Sequence, residues 1–345
     1  MSAKQSSKIT PRGFDKDLAE MEALSESIRA GIALNEDSTK YLRKAFAHRN
    51  NFLVSKAAKL VADLELFALL PDALAAYDRF FVDASKSDPQ CWAKNALVKT
   101  LIKLEHRQKD AYLRGLRHHQ MESVWGGVSD TAGALRGACT HALVDCPGIN
   151  DADLLGLLLE PLVDTDKTVR IEAARAIEQV GGVSAALVLR LRALLGAAPE
   201  HDEPEVLGAV YSALLGVEGA QAVALVAAAM EEGGDLAAEA AFALAETHKP
   251  EALTALLARQ RAGADSWFGA VLLSAIALTR LPEAMEFLIA LIARDTREAP
   301  QAIEAIGRIA PNSELRARVE KAVEQAGSPR LEQAFRQHLP ARQEP

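Results

Sequence analysis

The most constraining feature of this sequence is a helical segment that recurs along most of the chain. The clearest copy is TVRIEAARAIEQV at 168–180, where Val169, Ala173, Ile177 and Val180 form one apolar stripe at helical spacing. Similar segments can be anchored, on the residue equivalent to Val169, at positions 53, 93, 135, 169, 206, 236, 267 and 298. The intervals between anchors run from 30 to 42 residues. Such intervals are typical of stacked helix pairs.

The composition agrees with a chain made of thin, closely packed helices. Of 345 residues, 49% are hydrophobic but only 5% are aromatic, so Ala, Leu and Val supply most of the apolar surface. No segment sustains the period-two alternation that is typical of a half-buried strand. These patterns predict an all-α fold. Because one helix pair cannot bury its apolar face alone, we expect about eight pairs to stack in one elongated domain.

A polar signature accompanies three of the recurring segments. An Asp in the turn is followed six residues later by a basic residue of the second helix, in the pairs Asp88/Lys94, Asp130/Arg136 and Asp164/Arg170. The string DTDKTVRIEAARAIEQVGG, which contains the last pair, resembles a HEAT repeat of the phycobilisome-lyase type. After residue 170 the equivalents of Arg170 are apolar, so the resemblance there rests on periodicity alone.

The resemblance covers roughly residues 50 to 310 and has structural implications. It implies a right-handed α-α superhelix, a HEAT-like solenoid in which the second helix of each pair lines the concave face. It also implies that the six residues of the polar signature stack between repeats as a structural ladder. HEAT motifs are degenerate, so the resemblance specifies a fold rather than an activity.

The remaining segments are assigned from their position and polarity. We expect a disordered tail at 1–13, N-terminal capping helices at 14–50, HEAT-like repeats at 51–311, C-terminal capping helices at 312–338 and a disordered tail at 339–345. Capping helices are expected because an uncovered repeat face would expose apolar surface.

Charge is unevenly distributed along the chain. The net charge is -8, but residues 1–150 carry +3 and residues 151–345 carry -11. The basic excess lies between Lys94 and Arg117. Lys99, Lys103 and Arg107 would share one face only if a single helix continued through all three. Whether this stretch forms a patch or a solvated helix face therefore stays open.

The segment 118–136 is the least repeat-like part of the chain and is the main candidate for a binding site. Trp125 precedes two glycines there, and an exposed Trp beside a flexible corner is a plausible contact. The alternative is that Trp125, like Trp92, fills a gap between repeats. The candidate partner-binding residues are Trp92, Lys94, Lys99, Lys103, His118, His119, Trp125, Asp130 and Arg136.

The sequence contains no pattern that indicates catalysis. It lacks CxxC, HExxH, GxSxG and Walker motifs, and His118 and His119 diverge too far on a helix for both to pair with Glu122. Therefore no catalytic residue, metal ligand or cofactor is predicted. Cys91, Cys139 and Cys146 are expected to be inert thiols in a reducing compartment, the cytoplasm. No apolar run approaches the roughly 18 residues that span a bilayer, and no signal peptide is evident.

These observations favour a non-enzymatic scaffold or adaptor that binds another protein in a concave groove, and that is itself a monomer. Two other classes remain open. One is a nucleic-acid binder similar in architecture to the HEAT-like alkylpurine DNA glycosylases, against which the acidic second half stands. The other is a lyase or chaperone for a cofactor-bearing protein, as the phycobilisome-lyase resemblance suggests.

Overall fold

A computed structural model describes residues 13–31, 33–196 and 202–340. In these residues the chain forms twenty α-helices and one pair of short strands, which confirms the predicted all-α class. No helix among them is long and apolar enough to cross a membrane. Most of the two predicted disordered tails lies outside the described residues. Gly13, assigned to the first tail, instead begins a helix.

The elements follow one another with short connections. They are α1 (Gly13–Arg29), α2 (Glu36–Phe46), α3 (Asn51–Asp63), α4 (Leu70–Arg79), α5 (Ala84–Ser87), α6 (Trp92–Lys103), α7 (Lys109–Leu116), β1 (Met121–Val124), β2 (Gly127–Asp130), α8 (Gly133–Ala142), α9 (Asp151–Leu162), α10 (Lys167–Val180), α11 (Gly182–Gly196), α12 (Pro204–Glu218), α13 (Ala220–Ala228), α14 (Gly234–Glu246), α15 (Pro250–Ala262), α16 (Ser266–Leu278), α17 (Pro282–Ala293), α18 (Ala299–Arg308), α19 (Ser313–Ala326) and α20 (Pro329–His338). Short 3-10 turns occupy Phe67–Leu69, Pro89–Cys91 and Leu143–Asp145.

The chain forms two compact units, one up to Ala173 and one from Ala174, with the division inside α10. In the first unit α3 packs against α6, and α6 packs against α8. Small residues allow these close contacts, because Ala57 and Ala58 are fully buried on α3. The Thr100 hydroxyl of α6 donates to the Ala58 carbonyl at 2.9 Å. The predicted apolar stripes therefore lie between neighbouring second helices.

The second unit repeats the same arrangement of paired helices. Even-numbered helices from α12 to α20 pack in series, and each packs against the odd-numbered helix that precedes it. The cores of the even-numbered helices are rich in small and branched apolar side chains, such as Ala240, Ala241 and Leu244 on α14. This is the shared core that the repeat pattern predicts.

The hydrogen bonds that link neighbouring repeats differ between the first and the second unit. In the second unit, where the Asp/Arg signature is missing, side chains reach the carbonyl groups at the end of a neighbouring helix. His248 Nδ1 lies 3.0 Å from the Thr279 carbonyl, and Arg280 donates to the Ile309 carbonyl at 3.3 Å. These bonds satisfy carbonyl groups that have no partner within their own helix.

Several helices end with a residue other than glycine in the left-handed region. The positive φ angles at such ends, between 47° and 56°, belong to Glu65, Glu105, His248, Arg280, Asp295 and Ala310. Each of these residues lies two positions beyond the last residue of its helix. Glycine is the usual occupant of this position, because a Cβ atom is strained there.

Residues 121–130 form a β-hairpin, an element that the sequence did not lead us to expect. β1 and β2 pair antiparallel, with Met121 opposite Asp130 and Val124 opposite Gly127. Each strand has only four residues, too few to show an alternating pattern in the sequence. In the sequence, only the turn residues between the two short segments indicated a hairpin.

Candidate functional site

The hairpin, residues 121–130, exposes an apolar tip. Trp125 and Gly126 form its two-residue turn, and Gly126 has a φ of +92° that side chains rarely adopt. Trp125 is fully exposed, with a relative accessibility of 104%. Its neighbours Met121, Val124 and Val128 are also exposed. The interpretation of Trp125 as a gap filler between repeats is therefore wrong.

The base of the hairpin is held by hydrogen bonds to Asp130. The Asp130 Oδ1 atom accepts from the backbone NH groups of Gln120 and Ala132, at 2.9 and 3.0 Å. Its Oδ2 atom lies 2.8 Å from His119 Nδ1 and 2.7 Å from Arg136 Nη1. This one carboxylate thus joins both ends of the hairpin to the start of α8.

Arg136 carries this connection into the interior. Its side chain is only 1% exposed and donates to both carboxylate oxygens of Asp164, at 2.7 and 2.8 Å. It also donates to the His118 carbonyl at 3.1 Å. Arg170 then donates to the Asp164 carbonyl at 2.6 Å. Asp130, Arg136, Asp164 and Arg170 therefore form a continuous polar row.

Asp88 and Lys94 form a separate, fully buried pair. The Lys94 Nζ atom lies 3.0 Å from the Asp88 carboxylate and donates to the Phe80 carbonyl at 3.2 Å. The Asp88 carboxylate also accepts from the backbone NH groups of Ala93 and Lys94, at 2.8 and 2.9 Å. The Asn51 side-chain amide, at the start of α3, also donates to this carboxylate at 2.9 Å, so the pair links α6 to α3.

The electrostatics of the polar row favour its ionised form. Burial acts to raise the pKa of the Asp130 carboxyl, but the four hydrogen bonds that this carboxylate accepts outweigh burial and hold its pKa well below the ordinary value near 3.8. Asp164 behaves alike, because Arg136 and the Asp166 NH group overcome burial and lower its pKa. Burial acts to lower the pKa of Arg136, and the two carboxylates raise it.

The hairpin also contacts the turn that leads into α6. The Gln120 side chain donates to the Asp88 carbonyl at 2.8 Å, and the Gln90 NH group donates to the Glu122 carboxylate at 2.9 and 3.0 Å. Trp92 begins α6 two residues after Gln90, and its ring packs against Phe52 with centroids 5.6 Å apart. Trp92 is about half exposed. An exposed aromatic residue therefore lies near the base of the hairpin.

One exposed face of α6 combines Trp92 with two lysines. Trp92, Lys99 and Lys103 are spaced by seven and eleven residues from the first, which places them on the same side of the helix. Lys103 pairs with Glu65 at 2.6 Å, whereas Lys99 has no ion pair among the described residues. We call these three residues the α6 face.

The basic stretch does not form a patch along a single helix. α6 ends at Lys103, so Arg107 lies in the connection to α7 rather than on the α6 face. Farther along, Arg114 pairs with Asp78 at 2.6 Å. Lys99, Lys103 and Arg107 therefore do not share one helix face, because α6 ends before Arg107.

Burial separates the nine candidate residues into two groups. Lys94 and Arg136 are buried in ion pairs, so a partner cannot reach them in the folded chain. His118 packs edge-on against Phe81 at 4.9 Å, and burial lowers its pKa below the ordinary 6.5. Asp130 is largely occupied at the hairpin base. The residues that remain accessible are Trp92, Lys99, Lys103, His119 and Trp125.

The groups considered for chemistry have other partners. Glu122 lies in β1 and not on a helix with His118 and His119, and it accepts the bonds from Gln90 and Gln120. Throughout the described ranges no three His, Cys, Asp or Glu side chains are grouped as metal ligands would be. Burial raises the pKa of Cys91 to about 11 and that of Cys139 to about 12. Both are therefore protonated thiols at neutral pH.

The arrangement is suited to binding. A hairpin anchored through Asp130 holds a fully exposed indole, and the α6 face carries a second, half-exposed aromatic ring and two lysines. No protein-family model matches the sequence, and no curated protein matches it either. The geometry of the hairpin and the α6 face is therefore the basis for assigning a function.

Proposed function

We propose that this protein is a non-enzymatic scaffold or adaptor, built from HEAT-like repeats, that binds another protein. The observation that carries the proposal is Trp125, fully exposed at the tip of a hairpin whose base is fastened to the buried polar row. A large aromatic side chain on an anchored hairpin gives much binding energy for little loss of backbone conformational entropy. The hairpin is therefore the proposed anchor for the partner.

The α6 face defines the chemistry of the partner surface. Trp92 offers a second apolar contact, and Lys99 and Lys103 favour carboxylates on the partner. Surface charges of this kind mainly set the association rate and the orientation of binding. The expected partner therefore presents an apolar cleft for Trp125 with acidic side chains beside it.

Three further features belong to the same proposal. We assign the chain to the HEAT-like repeats with a right-handed superhelix, on the Asp/Arg signature and the repeat intervals of 30 to 42 residues. We place it in the cytoplasm, and its three free, buried cysteines support that assignment. The binding surface itself is confined to the first unit.

Affinity capture from native lysate tests the proposal. The full chain is compared with Trp125→Ala and with the double variant Lys99→Glu/Lys103→Glu. Trp267→Ala is the matched control, because Trp267 is half exposed on α16 in the second unit. We expect a captured protein that both site variants lose and the control retains. If every captured protein is retained by both site variants, the proposal is wrong.

Two outcomes would replace the proposal with another function. Retention of duplex or single-stranded nucleic acid that falls steeply with salt and is lost in the lysine variant would indicate a nucleic-acid binder, since one aromatic ring and two lysines share the α6 face. A chromophore-bearing protein as the captured client would indicate a lyase or chaperone. Gel-shift assays over a range of salt, and absorption spectra of the captured client, distinguish these cases.

A further inference from the structure

Helix α11 exposes an unusually apolar face in the second unit. Val183, Leu187, Leu191 and Leu194 are spaced at i, i+4, i+8 and i+11, and each is between 59% and 79% exposed. Leu195 extends this face and is also exposed. Helices that are apolar on all sides are normally buried. We call these five residues the α11 stripe.

The α11 stripe carries no unpaired charge. The only charged residues of α11 are Arg190 and Arg192. Arg190 is paired with Glu218 of α12, and Arg192 is paired with Asp202. The opposite side of the helix is already used, because Ala185, Leu189 and Ala193 are buried in the unit. A partner for the stripe therefore needs apolar surface and no particular charge.

We propose that the α11 stripe is the interface of a symmetric dimer between two copies of this chain. The stripe is compatible with a two-fold axis that passes between Leu187 and Leu191. In an antiparallel pairing about this axis, Leu187 of one copy faces Leu191 of the other, and Val183 faces Leu195. Two copies of an uncharged stripe do not repel each other at close range, and antiparallel helix dipoles attract.

The exposed area of the α11 stripe is compatible with a dimer interface. Its five side chains present roughly 500 Å² of exposed surface, so two copies would bury about 1,000 Å² in total, the lower end of what specific interfaces bury. A contiguous apolar patch of this size on a soluble chain commonly marks an interaction site. The proposed dimer differs from the monomer that the sequence led us to expect, and it is independent of the hairpin in the first unit.

The overall charge predicts how the dimer responds to salt. Residues 151–345 carry a net charge of -11, so two copies repel each other at long range. Salt screens this repulsion, and sulfate or phosphate salts also strengthen the burial of apolar surface. Self-association should therefore increase with ionic strength, whereas an association driven by charge attraction would decrease.

Sedimentation of the full chain tests the interface with paired charge variants. Wild type is compared with Leu187→Glu and Leu187→Lys at protein concentrations of about 1 to 100 µM. The two copies of residue 187 lie about 6 Å apart along the helix axis in the proposed pairing. Each variant alone should weaken self-association by more than about 100-fold, because it buries like charges. Mixing the two variants should restore a dimer.

Two control variants test whether self-association depends on the α11 stripe. Val82→Glu changes an equally exposed apolar residue of the first unit and should leave the dimer intact. Trp125→Ala should also leave it intact, so that loss of partner binding and loss of the dimer are distinguishable. Circular dichroism checks that every variant is folded. A monomeric wild type at the highest concentration, a dimer that persists in Leu187→Glu, or no rescue on mixing would overturn the proposal.

Discussion

Arg136 is a single side chain on which several structural features depend. It pairs with Asp130 at the base of the hairpin and with Asp164 before α10, and it is almost fully buried. A buried ion pair is by itself weak evidence for stability, because both charges lose their hydration. Removing one member, however, leaves the other charges buried without compensation.

We therefore predict that Arg136→Met strongly destabilises the first unit. The change leaves the carboxylates of Asp130 and Asp164 without their arginine, and the expected loss is about 3 to 5 kcal/mol. Thermal denaturation followed by circular dichroism measures it. Arg308→Met is the control, because Arg308 is 64% exposed in its pair with Glu304 and should change stability by less than about 1 kcal/mol. Equal effects of both substitutions would contradict the prediction.

The lowered pKa values of Asp130 and Asp164 predict a dependence on pH. Between the native and the ordinary pKa, the unfolded state binds more protons than the native state, so this stabilisation is present above about pH 4 and is lost as the pH falls further. Asp130→Asn removes the Asp130 contribution. The difference in Tm between wild type and this variant should therefore be largest at neutral pH and should shrink below pH 4.

The pH series needs a solvent-exposed acidic residue as its control. Asp37→Asn serves this purpose, since the Asp37 side chain is 90% exposed. Its Tm difference from wild type should stay small across the same pH series. A difference for Asp130→Asn that is constant with pH would show that the Asp130 charge contributes nothing to stability.

At the scale of single elements, two helix glycines have opposite surroundings. A Cβ atom on Gly115 of α7 would lie 2.3 Å from Cys139 Sγ and 2.4 Å from the Tyr77 hydroxyl oxygen, both buried. A Cβ atom on Gly156 of α9 would have nothing within 4 Å. Gly115 is thus required by close packing, and Gly156 is not.

This contrast predicts opposite effects of the same substitution. Gly115→Ala should destabilise the protein by about 1 to 3 kcal/mol, because the buried neighbours must move. Gly156→Ala should stabilise it by about 0.5 to 1 kcal/mol, because alanine is the better helix former. Thermal melts of the two variants beside wild type measure both effects. A stabilising Gly115→Ala would mean that α7 and α8 are packed less closely than described.

The elements differ in how far the sequence could predict them. The α10 segment was recognisable because the Val169 stripe repeats every third or fourth residue. The hairpin was not, because four-residue strands are too short for a periodic pattern and depend on anchoring by Asp130. The exposed stripe of α11 was also missed, because a helix with apolar residues around most of its circumference does not reveal which side stays uncovered.

The sequence pattern also could not show which of the candidate site residues are buried. The six-residue spacing of Asp88 and Lys94 was noticed, but spacing does not show whether a lysine is buried in an ion pair or available to a partner. Trp125 was singled out correctly as unusual because two glycines follow it. Its complete exposure became evident only when the hairpin was located.

At the scale of the whole molecule, stability is expected to be local. In repeat architectures each helix pair depends mainly on its neighbours, and opening occurs in contiguous groups of elements. Arg136→Met should therefore accelerate amide hydrogen exchange in α6 to α8 and leave α14 to α18 unchanged. Hydrogen exchange measured by mass spectrometry resolves these segments.

A destabilising substitution in the second unit tests the same prediction from the other side. Leu272 is fully buried on α16, and Leu272→Ala should destabilise its surroundings by about 2 to 5 kcal/mol through the cavity that it creates. Exchange should then increase in α14 to α18 and not in α6 to α8. If either substitution accelerated exchange equally in both units, the chain would unfold as one cooperative body instead.

The left-handed residues at helix ends have a consequence for protein engineering. Ala310 and Glu105 adopt φ values of 49° and 55° although they carry a Cβ atom, and no side-chain hydrogen bond or ion pair involves either of them among the described contacts. Ala310→Gly and Glu105→Gly should each raise stability by about 1 kcal/mol, visible as a higher Tm. A lower Tm would contradict this. These helix ends are thus positions at which thermal stability can be raised without altering any core residue or proposed binding surface.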